Sequence, residues 1–288
     1  MAVRKTYKLF VGGAFPRSES GRSYPVTGAD GALLAHASRA SRKDVRDAVR
    51  AARGAFPGWA GRTAYLRGQV LYRVAEMLEG RSAQFAAEVA AAEGLDAAGA
   101  ARVVAAAVDR WVWYAGWADK LAQVFGAVNP VAGPYVNWSV PEPTGVVGLV
   151  APARSSLLGL VSRLAPILVG GNAAVVLAAE AMPLPAVTLA EVLATSDLPA
   201  GTVNVLTGRV AELVGPLSAH MDVQALDLAG LERSRWRDAE QAAADSVKRV
   251  AGPVDLAPEG WLDDTRGQDP YWIAAFLEIK TLWHPAGL

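Results

Sequence analysis

Few residues of this chain are of the types that carry covalent chemistry. The 288-residue sequence contains no cysteine, which removes a thiolate nucleophile, disulfides and thiolate metal sites. Its three histidines, His36, His220 and His284, lie far apart and none falls in a metal-ligand spacing. No metal site is expected, and each histidine reads as a surface or hydrogen-bonded residue. Serine and threonine hydroxyls are present, but a hydroxyl attacks only beside an activating base, and no such arrangement is visible. What remains is ligand binding. Three short apolar runs, at 146–150, 174–177 and 203–206, are rich in Val and Leu without polar alternation, and segments of helix length separate them. Strands buried on both faces read this way. The alternation predicts β-α-β-α-β, an α/β fold with a parallel sheet and helices on both faces. Such a sheet offers a crevice at the carboxyl ends of its strands, where helix N-termini favour phosphate. The helix start after Gly230 is a candidate for that role.

The elements around this core are read from spacing. Residues 9–15 look like a strand, a glycine turn and a second strand, and 33–37 like a further short strand. Ser41 is a candidate N-cap for a helix carrying Val45, Val49, Ala52 and Phe56, with Pro57-Gly58 as its stop. A second helix is expected over 63–79, with Tyr65, Leu66, Val70, Leu71, Val74, Ala75 and Leu78 on its apolar face. Ser82 is expected to cap a third helix, ending at Gly94. A fourth is expected from near Gly99 to about Val124. Trp111, Trp113, Tyr114 and Trp117 recur on it at helical spacing and read as core or interface packing rather than a ligand stack. Residues 127–143 read as two extended strands around a Pro/Gly turn. Beyond Gly208 the pattern gives a helix from Ala211, a strand at 223–228, a helix over 232–245 and a strand at 247–250. Residues 251–270, rich in Gly, Pro and Asp and without a period, read as a linker or surface loop. The end of the chain is strand-like and needs a partner.

Global properties exclude several classes. Lysine plus arginine and aspartate plus glutamate number 28 each, so the net charge is zero, and nothing argues for nucleic acid. Ser, Arg, Gly or Pro interrupts every apolar run before it reaches membrane-spanning length. The basic pair Arg4-Lys5 is not followed by the apolar core of a secretion signal. A cytoplasmic protein without a membrane partner is expected.

Several motifs occur together in a specific order: Glu142-Pro143-Thr144-Gly145-Val146-Val147-Gly148, then Leu164-Ala165-Pro166-Ile167-Leu168-Val169-Gly170-Gly171-Asn172, then Leu198-Pro199-Ala200-Gly201-Thr202-Val203-Asn204-Val205-Leu206-Thr207-Gly208. With these, the chain resembles the aldehyde dehydrogenase superfamily from about Leu9 to Val250. The resemblance implies a Rossmann-like cofactor-domain scaffold at 1–126 and 144–250. It implies oligomerisation strands at 127–143 and 271–288, and a linker at 251–270 in place of the catalytic domain. The ending Glu278-Ile279-Lys280-Thr281-Leu282-Trp283-His284-Pro285 resembles the family's last strand. The arrangement is similar to the shortened, non-catalytic second unit of two-unit class-16 aldehyde dehydrogenases.

By the same resemblance, Pro152, Glu180, Gly208 and Gly230 mark a vestigial cofactor site. The departures fall where the family's chemistry sits. Ala153 and Arg154 replace an aromatic residue and the asparagine that helps hold the oxyanion. Leu177 replaces a ribose-binding lysine. Leu228-Ala229-Gly230-Leu231 replaces a Phe-Thr-Gly-Ser turn over the pyrophosphate. Arg154 is expected to pair with a surface carboxylate rather than bind an anion. Removing one oxyanion donor alone lowers rate about 10²–10³-fold. The resemblance therefore implies no catalytic residues and no cofactor beyond weak NAD or NADP binding. The chain is expected to be a pseudoenzyme that forms a homo-oligomer, or a hetero-oligomer with a full-length aldehyde dehydrogenase. The alternative is a degenerate NAD(P)-binding oxidoreductase or cofactor sensor that uses the remaining crevice.

Overall fold

The computed structural model of the chain describes residues 5–252, 254 and 256–286. The outermost positions of the expected 1–126 and 271–288 segments, and residues 253 and 255 of the expected linker, lie outside the described residues. A small sheet comes first, with β1 (Thr6–Tyr7), β2 (Ser23–Thr27) and β3 (Leu33–Ser38) in the order β1-β3-β2. The expected strand pair at 9–15 is a tight turn instead. Val11 and Ala14 exchange hydrogen bonds across Gly12 and Gly13, both at positive φ, while Phe10 bridges to Val205. Two residues on each side of the turn are too few to build a ladder.

Helices α1 (Arg42–Ala60), α2 (Ala64–Glu79), α3 (Ser82–Glu93) and α4 (Ala97–Ala115) follow. Ser41 caps α1 as expected: its hydroxyl accepts from Lys43 N, and the Asp44 carboxylate accepts from Ser41 N at 2.7 Å. Pro57 does not stop this helix. It removes one backbone bond, but the turn it occupies carries Trp59, wholly buried and donating Nε1 to Leu168 O at 3.0 Å. On α2 the buried stripe begins at Val70, and Tyr65 is 69% exposed, because no element covers the first turn. Ser82 is the first residue of α3 and not its cap. Asp96 caps α4 through Gly99 N, and the helix breaks at Gly116 before the short α5 (Leu121–Phe125) resumes. Trp111 and Tyr114 are fully buried in the core, as their spacing predicts.

The chain then forms β4 (Ala127–Asn129) and β5 (Tyr135–Pro143) and enters the core: β6 (Val146–Val150), α6 (Leu158–Val169), β7 (Ala173–Leu177), α7 (Leu184–Ala194), β8 (Val203–Leu206), α8 (Val210–Ser218), β9 (Ala225–Asp227), α9 (Trp236–Ala244) and β10 (Arg249–Ala251). These five core strands form one parallel sheet in the order β10-β9-β6-β7-β8. β6, β7, β8 and β9 are buried along their whole length. The order of winding reverses between β6 and β9.

Residues 251–270 are not a surface loop. A 3-10 turn (Pro258–Leu262) and α10 (Asp264–Gly267) lead to α11 (Tyr271–Ala274), and Trp261 is buried in the main core. The segment is pinned by groups on the helices beneath it. Arg110, with no exposed surface, donates to Ser162 Oγ, Trp261 O and Asp264 Oδ1 at 3.1–3.2 Å. Tyr114 Oη donates to Gly267 O at 3.2 Å. Arg163 lies 4.3 Å from the centre of the Trp272 ring and makes a buried 2.7 Å ion pair with Asp227. The strap ends in β11 (Leu277–Pro285), which pairs antiparallel with β5 from Leu277↔Pro143 to Pro285↔Tyr135. The terminal strand thus finds its partner within this chain. β4 takes the other side of β5, giving a layer ordered β11-β5-β4.

Breaking a buried pair by removing one partner leaves the other charge uncompensated, at about 3–5 kcal/mol. Asp227→Asn should lower unfolding stability by that amount in urea titration. Arg163→Met combined with Asp227→Ala should lower it far less, because no lone charge is then left inside.

Candidate functional site: a crevice at the strand ends

A cleft of about 670 Å³ opens at the carboxyl ends of the core strands, beside the point where the winding reverses. That is where parallel α/β sheets hold ligands, and the volume lies in the range of small-molecule sites. Ala151 and Ala153 reach it from the end of β6, Glu180 from beyond β7, Arg209 from the start of α8, and Gly230 and Arg235 from beyond β9.

The sequence-predicted residues divide into two pairs. Glu180 and Gly230 both line the cleft; Pro152 and Gly208 flank it without lining it. Glu180 is already engaged. Its carboxylate accepts from Val210 N at 3.1 Å and pairs with Arg209 at 3.0 Å, so it caps α8, which has no cap of its own. The favourable anion position at that helix N-terminus is therefore filled from within the chain. Gly230 is demanded by backbone approach: its N–H donates to Val150 O at 2.9 Å, and a Cβ there would stand 1.8 Å from Ala151 O. Pro152 is buried and wedges against Gly159 in the first turn of α6. Gly208 takes φ 145 in the turn after β8, where a Cβ would meet Ala40 N at 3.0 Å.

The departures also have physical positions. Leu177 is buried at the end of β7 and Leu231 packs into the same apolar cluster, so neither offers a charge or a hydroxyl to the cleft. Arg154 is exposed and has no carboxylate within ion-pair distance among the described residues, so the expected surface pair is not formed. No local acid stands within a turn of it in sequence, and the fold brings none to it.

Three features escaped the sequence reading. Arg209 and Arg235 face the cleft, opposed by Glu180 and Glu232, so the opening is charge-balanced. Arg209 follows Gly208 directly and was legible as a strand-end cation; Arg235 needed the three-dimensional turn. Tyr24 of β2 lines the cleft and donates to Glu180 O at 3.2 Å. Burial first, then the Glu180 charge, push its hydroxyl well above the ordinary tyrosine range, so it stays a donor. The third is a hydroxyl beside a carboxylate: Ser156 donates both N–H and Oγ to Glu93 Oε1, at 2.7 and 2.6 Å. Ser156 is buried and outside the cleft, so this pair fastens the loop before α6. The crevice can hold a polar ligand, and its lining contains no cysteine thiolate.

Forcing a methyl group against Ala151 O should make Gly230→Ala destabilising by about 3 kcal/mol, the upper end for overpacking. Gly54→Ala, at an interior position of α1 with open space around it, should gain up to about 1 kcal/mol. Thermal melts of the two variants check both.

The profile of the Aldehyde dehydrogenase family matches residues 16–252. The cytosolic 10-formyltetrahydrofolate dehydrogenase of Mus musculus is 33% identical over 264 residues, covering 87% of this chain and 28% of the relative. The cytosolic aldehyde dehydrogenase 1 of Elephantulus edwardii is 31% identical over 255 residues, covering 84% of this chain and 49% of the relative. Among solved structures, HpcC of Thermus thermophilus superposes with a TM-score of 0.82 at 31% identity, over 86% of this chain and 48% of the other. The NAD+ complex of aldehyde dehydrogenase from Bacillus cereus gives a TM-score of 0.79 at 26% identity, over 85% and 50%. The chain thus spans half or less of the length of each of these proteins. With the family profile matching residues 16–252 and the fold superposing on these structures over most of its length, the chain belongs to the aldehyde dehydrogenase family.

Proposed function

We propose that this chain is a non-catalytic subunit of the aldehyde dehydrogenase family, which assembles with itself or with a full-length catalytic member. The observation that carries this reading is the outer edge of β11. The strand spends one side on β5 and stands at the edge of its sheet, so nine residues of backbone face outward. Trp283 is 62% and Ile279 51% exposed, and Val128 on β4 is 80% exposed. A long edge strand is a template for a further strand, and the exposed Ile279, Trp283 and Val128 on one thin layer favour a protein partner. Ion pairs hold the layer in place: Arg249 grips Glu278 through two bonds of 2.6 and 2.7 Å, and Lys280 meets Glu142 at 3.4 Å.

The lack of catalysis rests on composition and on the crevice. Aldehyde oxidation through a thioester needs a thiolate, oxyanion donors and a base for deacylation. The chain has no cysteine, and Ala153 and Arg154 stand where the resemblance places the oxyanion asparagine. A cytoplasmic location fits the cytosolic relatives, and no described helix is long and apolar enough to cross a membrane.

The crevice supports a second reading, residual dinucleotide binding. Its place at the reversal point and its volume favour it. The residues fit the cofactor poorly: Glu180 occupies the α8 N-terminus, Leu177 is buried in the apolar core, and Leu231 lines the cleft with an apolar side chain. Any NAD or NADP binding is accordingly weak.

Light scattering of the purified chain should show a dimer or larger, and Ile279→Glu with Trp283→Glu should dissociate it without loss of helical signal. A monomer that also ignores a catalytic homologue would overturn the assembly reading. Calorimetric titration with NAD and NADP should give little or no heat at millimolar ligand, and aldehyde plus cofactor should give no turnover. Turnover that survives removal of contaminating dehydrogenase contradicts the non-catalytic assignment.

A further inference from the structure

A smaller cavity, of about 240 Å³, lies at the far end of the β1-β3-β2 sheet, under the loop of residues 17–22. It belongs neither to the crevice nor to the β11 layer. Its lining comprises Lys8, Arg17 and Arg22, the hydroxyl residues Thr6, Ser18, Ser23 and Ser38, and Gly21, with no carboxylate and no apolar side chain. We infer that it binds a small oxyanion, a phosphate or sulfate group, either free or as the head of a small monoester.

The register of the sheet builds it. Ser23 pairs with Ser38 across β2 and β3, and Thr6 pairs with His36 across β1 and β3, so the chain leaving β1 brings Lys8 level with Ser38. The covering loop is tied down. Gly21, at φ 67, donates to Ser18 O at 2.9 Å; Arg22 N donates to Ser20 Oγ, and Arg39 N to Arg22 O. Ser18 and Ser38 are 4% and 3% exposed and form the inner wall. The cations therefore project from a fixed frame.

The nearby acids make their bonds to groups other than the three cations. Asp44 accepts from Ser18 Oγ, Glu19 N and Ser41 N at 2.8, 3.2 and 2.7 Å. Glu19 pairs with Lys43 at 3.1 Å, and Arg39 takes Glu212. Among the described residues, Lys8, Arg17 and Arg22 have no carboxylate within ion-pair distance. The crevice, by contrast, balances its arginines with glutamates. Three uncompensated cations beside the Thr6, Ser23 and Ser38 hydroxyls select an oxyanion by charge-assisted hydrogen bonds, and the guanidinium fork matches its geometry. The volume falls below that of drug-sized sites, so the ligand is small.

Backbone amide NMR during titration with inorganic phosphate, at constant ionic strength set with chloride, tests this. Saturable shifts are expected at residues 6–8, 17–23 and 38. Arg17→Ser with Arg22→Ser should weaken binding about tenfold or more, while Arg53→Ser on the exposed side of α1 should leave it unchanged. The same spectra show that each variant is folded. Shifts that stay linear to the highest concentration, or an affinity unchanged in the double variant, overturn the proposal. Glycerol 3-phosphate forms the second arm: tighter binding than inorganic phosphate assigns a monoester, and equal binding assigns the free anion.

Discussion

Asn172 is wholly buried between the end of α6 and the start of β7. Its Oδ1 accepts from Gly145 N at 2.9 Å, and its Nδ2 donates to Ile167 O and Phe276 O at 3.2 and 2.9 Å. One amide thereby fixes the start of β6, the exit of α6 and the last residue before β11. Thr144 N donates to the same Phe276 carbonyl at 3.2 Å, so the core sheet and the outer layer leave a common point in a set direction. An amide left without these partners in such a place carries a penalty of about 1–3 kcal/mol per orphaned group. The exposed layer is therefore an extension of the core and not a loose arm.

The strap between β10 and β11 closes the other side. Two arginines that would be intolerable alone in a core are matched there: Arg110 by Ser162, Trp261 O and Asp264, and Arg163 by Asp227 and the face of Trp272. Burial draws the Arg110 guanidinium below its ordinary range, partly opposed by Asp264, yet it stays charged because an arginine begins so high. The buried Arg110, Arg163 and Asp227 hold the strap to α4 and α6. None of them faces the crevice, where the glutamates and arginines cancel one another. The outcome is a family core with a charge-balanced crevice and an exposed β11 edge.

The parallel core was legible because strands buried on both faces write themselves as unbroken apolar runs, as at 146–150 and 174–177. Ser41 was legible as a cap, and Trp111 and Tyr114 as core, since each signal is local. The strap was not. One anchor, Trp261, is isolated in a stretch rich in Gly, Pro and Asp, the other, Trp272, stands just beyond it, and their partners lie some 100 to 150 residues away on other elements. Pro57 misled for a related reason: the burial of Trp59 outweighs a breaker that sequence alone treats as decisive. At the crevice, Glu180 and Gly230 could be placed from the motif resemblance. That Glu180 caps α8 and that Gly230 answers to Ala151 O depend on distances no spacing encodes.

We propose that the exposed edge of β11 is covered by a further subunit. Amide hydrogen exchange across a range of chain concentrations, alone and with a catalytic family member, measures this directly. Protection of residues 277–285 should rise with concentration or with the partner, while residues 179–182 and 209–211 around the crevice exchange unchanged. Exchange along 277–285 that stays fast and constant under every one of these conditions would contradict it.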